Sequence, residues 1–88
     1  MNQKIKAYIG FAIKGKKTII GVDNIILKKN VKVIIVSPEL SENSLNKLKQ
    51  KTETKIIVLD GYLPEGVLAL GITDASLSGE IIKQTENC

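Results

Sequence analysis

Apolar positions along this 88-residue chain switch between a helical and an extended period. From Asn2 to Lys14, Ile5, Ile9, Ala12 and Ile13 recur at i, i+4, i+7 and i+8, with Tyr8 and Phe11 at the flanks, which predicts a helix over 2–14. Gly10 inside that helix costs about 1 kcal/mol against alanine, so a close backbone contact is expected there. Gly15, just after Lys14, reads as a left-handed helix cap. Thr18-Ile19-Ile20 is a short β-branched strand, and Gly21 opens a second helix over 21–30, with Val22, Ile25, Ile26 and Lys29 on one face. Lys32 to Val36 and Lys55 to Leu59 are nearly continuous apolar runs, the pattern of strands covered on both faces. Between them Ser41 or Ser44 caps a helix that turns Leu45 and Leu48 inward. Asp60 to Gly66 is loop-like, Val67 to Thr73 forms a last strand, and Asp74 opens a helix with Leu77 and Ile81 inward. Strands alternating with helices predict an α/β/α sandwich around a four-stranded, mostly parallel or mixed sheet.

Length and composition keep the chain to one domain: 88 residues, 43% of them apolar, with no repeat or low-complexity tract. No apolar run approaches the ~20 residues that span a bilayer, and residues 2–6 lead into helical periodicity rather than a secretory leader. The one cysteine, Cys88, has no internal disulfide partner, so a cytoplasmic protein is expected. Charge adds more. Residues 1–36 carry eight lysines against one acid, a net +7, while residues 37–88 carry five lysines against eight acids, a net −3. One basic face and an anionic partner are expected from this asymmetry. All the basic residues are lysines, which act on phosphate as point charges without arginine's bidentate reading of bases.

The hinge Lys14-Gly15-Lys16-Lys17 and the helix start at Gly21 form the main candidate site. Helix N-termini carry unpaired N–H groups and partial positive charge, and a glycine admits a ligand close to the backbone. Three lysines and this helix start are expected to converge on a phosphate. Asp23 repels phosphate directly over the turn and is instead suited to accept a base amine or imino proton.

These residues resemble a known family. The string Ile9-Gly10-Phe11-Ala12, then Lys14-Gly15, Lys17 and Gly21, is similar to the start of the kink-turn RNA-binding ribosomal protein family (ribosomal protein seven-Ae), above all its small bacterial YlxQ-like branch. The similarity continues through Lys32 to Val36, Ser41 and Asn43, and returns at Ile72-Thr73-Asp74 before the last helix. The resemblance implies an α/β/α sandwich that grips kinked RNA stems, as a ribosomal or ribosome-associated protein with RNA and possible ribosomal-protein partners. It places Gly21, Asp23 and Asn24 where archaeal members have Gly, Asn and Glu at the start of the second helix, which reads sheared G·A pairs. Lys28 stands one residue beyond the family's lysine, Leu27 occupying that position. It matches Lys14 and Lys17 to basic hinge positions and Ile72, Thr73 and Asp74 to a second recognition loop. The expected RNA-binding set is thus Lys14, Lys16, Lys17, Gly21, Asp23, Asn24, Lys28, Ile72, Thr73 and Asp74.

Other chemistry is sparse. Ser41-Glu42-Asn43-Ser44 reads as helix capping. Asp60 and Asp74 each follow a strand, which would put both at the carboxyl edge of the sheet, where small ligands or Mg²⁺ bind in open α/β folds. With no histidine, no cysteine pair, no phosphate loop and no nucleophile elbow, neither catalysis nor a cofactor is expected. The second reading, of a different class, is a protein–protein adaptor that docks through its acidic C-terminal half.

Overall fold

The computed structural model describes residues 3–28 and 30–86. Asn2, Lys29 and Cys88, on which parts of the expected pattern fall, lie outside the described residues. The elements run α1 (Gln3–Lys14), β1 (Thr18–Ile20), α2 (Val22–Leu27), β2 (Val33–Val36), α3 (Glu42–Lys51), β3 (Ile56–Val58), β4 (Ala69–Ile72) and α4 (Ala75–Glu86). The sheet order is β1-β4-β2-β3.

β1, β2 and β3 point the same way, because α2 after β1 and α3 after β2 each return the chain to the start of the next strand. β4 is reached through residues 59–68, which contain no helix, and it enters between β1 and β2 in the opposite direction. Both its pairings are antiparallel, with Thr18 opposite Ile72 on one side and Val33 opposite Ile72 on the other, and only β2 with β3 pairs parallel. The sheet is therefore mixed rather than mostly parallel in its pairing.

Two apolar layers close over this sheet. Ile5, Ile9 and Ala12 of α1 and Ile81 of α4 meet Val33, Ile35, Leu70 and Ile72 on one face. On the other, Ile25 of α2 and Leu48 of α3 meet Val31, Ile34, Val36 and Ala69. Alternate residues of a strand serve opposite faces, so the unbroken apolar runs of β2 and β4 are the two central strands, buried at every position. β1 and β3 are the edges, and Ile20 and Val58 are each about half exposed there.

Three local expectations change. Ile13 lies at the rim of the α1 stripe and is partly exposed, as is Phe11, because Ile5, Ile9 and Ala12 already define the buried face. Gly10 meets no close neighbour: a Cβ there would find nothing within 4 Å. The left-handed residue after α1 is Lys16, at φ 56°, and not Gly15. Lys17 N–H donates to Ala12 O at 2.9 Å and Lys16 N–H to Ile13 O at 3.1 Å, the bond pair of a Schellman cap with Lys16 in the glycine position. A side chain in that conformation costs about 1–2 kcal/mol, which the two capping bonds offset. The result turns the chain sharply into β1 and presents Lys16 to solvent.

Candidate nucleic-acid interface

A lysine stands immediately before each of the three co-directed strands: Lys17 before β1, Lys32 before β2 and Lys55 before β3. Since these strands start at one end of the sheet, the three lysines share that end. α2 and α3 run back toward it and finish there with Lys28 and Lys51, and α1 ends there with Lys14, followed by Lys16. Cations at helix C-termini complement the helix dipole, which accounts for Lys28 and Lys51. It does not account for the lysines that precede strands. The shallow space between the ends of α2 and α3 is lined by Lys28, Lys51, Ile26, Thr52 and Glu53.

The C-terminus of antiparallel β4 meets this lysine end. Thr73 donates its N–H to Lys17 O at 2.9 Å, and its hydroxyl donates to the same oxygen at 3.2 Å. Lys17 Nζ lies 2.8 Å from Asp74 Oδ2, and Asp74 Oδ1 accepts the Leu77 N–H at 3.0 Å, capping α4. The Lys17 ammonium, and then the Leu77 N–H, hold the Asp74 carboxyl below the ordinary aspartate value of 3.8. A depressed folded-state pKa stabilises the fold above the unfolded value and ceases to do so as pH falls through the lower one. Asp74→Asn keeps an acceptor for the cap but loses the charge, so its melting temperature should fall less steeply than the wild type's on acidification below that value. Equal slopes in thermal melts would show that the Lys17–Asp74 pair does not couple to folding.

The expected site residues fall into two groups. Lys14, Lys16, Lys17, Lys28, Thr73 and Asp74 come together at the lysine end. Ile72 belongs to the same strand end, but its side chain is wholly buried in the core and has no surface to offer. Gly21, Asp23 and Asn24 lie at the opposite end of β1, about 13 Å from Lys17 at ~3.3 Å per residue. The hinge lysines and the start of α2 therefore do not converge on one phosphate. α2 is also short, six residues, and its first turn is already occupied. Asn24 Nδ2 donates to Ile20 O at 2.9 Å, and the Asp23 carboxylate holds Lys47 Nζ at 2.7 Å. Gly21, at φ 99° and ψ 143°, is in a conformation few side chains tolerate, and its N–H bonds Ala69 O at 3.1 Å. Its glycine thus serves the tight strand-to-helix turn.

Asp60 and Asp74 are likewise separated. Asp60 follows β3 and Asp74 follows the antiparallel β4, so they mark opposite ends of the sheet and cannot share an ion. Among the described residues no group of three carboxylate, histidine or cysteine side chains is placed to hold a metal. Ser41 caps α3 as expected, its hydroxyl accepting Ser44 N–H at 3.2 Å. Lys32, Lys51 and Lys55, outside the expected set, join the lysines at this end. Lys32 and Lys55 are marked in the sequence by standing directly before an apolar strand, and Lys51 by closing α3.

No helix among the described residues is long and apolar enough to cross a membrane. No protein-family model matches the chain, and no curated protein matches it. It is similar in structure to a protein of unknown function from Bacillus halodurans, with a TM-score of 0.84 over 97% of this chain and 99% of that one. At 16% identity, that likeness shows a shared α/β fold.

Proposed function

We propose that this chain is a small, non-catalytic RNA-binding module of the cytoplasm, ribosomal or ribosome-associated, that holds structured RNA through the lysine end of its sheet. The observation that carries this reading is the gathering of Lys14, Lys16, Lys28, Lys32 and Lys51 at that end. Of the acids described there, Asp74 is bound to Lys17 and Glu86 to Lys55, leaving Glu53 as the one without an ion pair. Point charges gathered around one end suit the phosphates of a folded or bent strand. Base reading falls to the backbone and to Thr73, since no arginine is present. The sequence resemblance to kink-turn proteins supports the same class of ligand, with the contact surface displaced from the start of α2 to the lysine end.

The test is a salt titration of binding to a kinked RNA and to a straight duplex of equal length. About four phosphate contacts give a salt slope near −3, a weakening of roughly a hundredfold between about 50 and 200 mM salt. Preference for the kinked RNA that persists at the higher salt is the expected result. Absence of binding to both RNAs at the lower salt would refute the reading.

A further inference from the structure

The opposite end of the sheet has the reverse character. There Ile20, Gly21, Val22, Leu40, Val67 and Leu68 line an apolar groove of 260 Å³, and Ile20 and Leu68 are 51% and 41% exposed. A neighbouring cleft shares Val67 and Leu68 with it and adds the carboxylates of Glu39, Asp60 and Glu65. Glu42, in the first turn of α3, extends the negative rim, whereas Asp23 is held by Lys47. These carboxylates would repel an RNA backbone. They suit a ligand that brings an apolar anchor flanked by separated cations.

The chain carries such an anchor at its own lysine end. Leu27, the last residue of α2, is 76% exposed and is followed at once by Lys28. Lys28 directly follows the anchor in the chain, and Lys28 and Lys51 border the recess between the ends of α2 and α3. We propose that copies of this chain associate head to tail, with Leu27 of one copy in the groove between Ile20 and Leu68 of the next and its lysines facing Glu39 and Glu65. Two different patches of the surface meet in such a contact, so it repeats into an open chain or a ring rather than stopping at a two-fold dimer. The formal net charge of +4 on every copy opposes association at long range. The contact is therefore weak, with a dissociation constant on the order of a millimolar, and it is lost when salt screens the ends from each other. Association does not depend on the RNA reading. If both hold, RNA on the lysines displaces the neighbouring copy.

Sedimentation of the full chain without RNA tests this directly. In low salt the average mass should rise with concentration past that of a dimer, and about 0.5 M salt should return it to the monomer. Leu27→Glu and Leu68→Glu, both at exposed positions, should each be monomeric alone. Mixed, they should form a one-to-one pair, because one intact anchor and one intact groove remain. A wild-type chain that stays monomeric at millimolar concentration in low salt overturns the proposal, as does a dimer that survives both substitutions or a mixture that fails to pair. RNA protection of the backbone at Gly66 to Leu68 would assign the groove to RNA and overturn it too. None of the sedimentation results bears on whether RNA binds the lysine end.

Discussion

Lys14→Gln, Lys28→Gln and Lys32→Gln combined should weaken RNA binding about a hundredfold at ~0.15 M salt and leave folding intact. Each lysine–phosphate contact releases about 0.7–0.9 of a counterion, worth roughly a factor of five at that salt, and three such factors multiply. The salt slope should fall by about 2 to 3, a signature that loss of a hydrogen bond or of shape would not produce. These three lysines are the right ones to change because they are exposed and have no ion pair among the described residues. Lys17 is a poorer choice: reversing its charge would set it against Asp74, 2.8 Å from its ammonium, and would confuse binding with folding. Parallel melts and titrations of the triple variant check the prediction. A slope equal to the wild type's would remove the lysine end from the account.

Ile34→Ala should cost about 2–5 kcal/mol of stability, the usual range for emptying a fully buried isoleucine. Ile34 lies in a central strand, opposite Gly71 on one side and Ile56 on the other, and its side chain is wholly enclosed among residues of α2, α3 and β4. The site resists collapse because the facing position is already tight. A Cβ on Gly71 would come within 2.9 Å of Val31 Cγ1 and 3.2 Å of Ile25 Cγ1, so α2 already rests directly on β4. For a domain of this size the melting midpoint should drop by about 10–30 °C. RNA affinity measured where the variant remains folded should be little changed, since the cavity is internal and removes none of the exposed lysine charges. A loss of under about 1 kcal/mol by denaturant titration would mean that this layer repacks freely, contrary to the packing described.

The strands and helices were legible because their patterns are local. The buried faces of α1 and α4 follow from residues three and four apart, and β2 and β4 from runs too apolar for a solvated face. The strand order was less accessible. Nothing in Ala69 to Ile72 tells it to enter between β1 and β2, and its reversed direction follows from a helix-free connection at residues 59–68. That one reversal moved Asp74 to the opposite end from Asp60 and brought Thr73 beside Lys17. The misplaced cap has a different origin. Gly15 was the residue best fitted to a left-handed turn, but the bonds from Lys16 and Lys17 close the helix one residue later.

The grouping of the charges was not legible in the sequence. Proximity in the chain joined the hinge lysines to Gly21, although a strand, however short, carries the backbone across the sheet. The more informative pattern spans the whole chain. Lysine precedes β1, β2 and β3, while Asp23, Glu39 and Asp60 follow their ends. Once the three strands point the same way, that pattern makes one end of the domain basic and the other acidic.

Amide shifts of the labelled protein on addition of a kinked RNA give the most direct test of the central claim, that the lysine end is the RNA surface. The predicted shifts cluster at Lys14 to Thr18, at Lys28, at Lys32 and Val33, and at Thr73 and Asp74. Shifts confined to Gly21 to Asn24 and to the loop from Gly61 to Leu68 would place the RNA on the acidic end and contradict it.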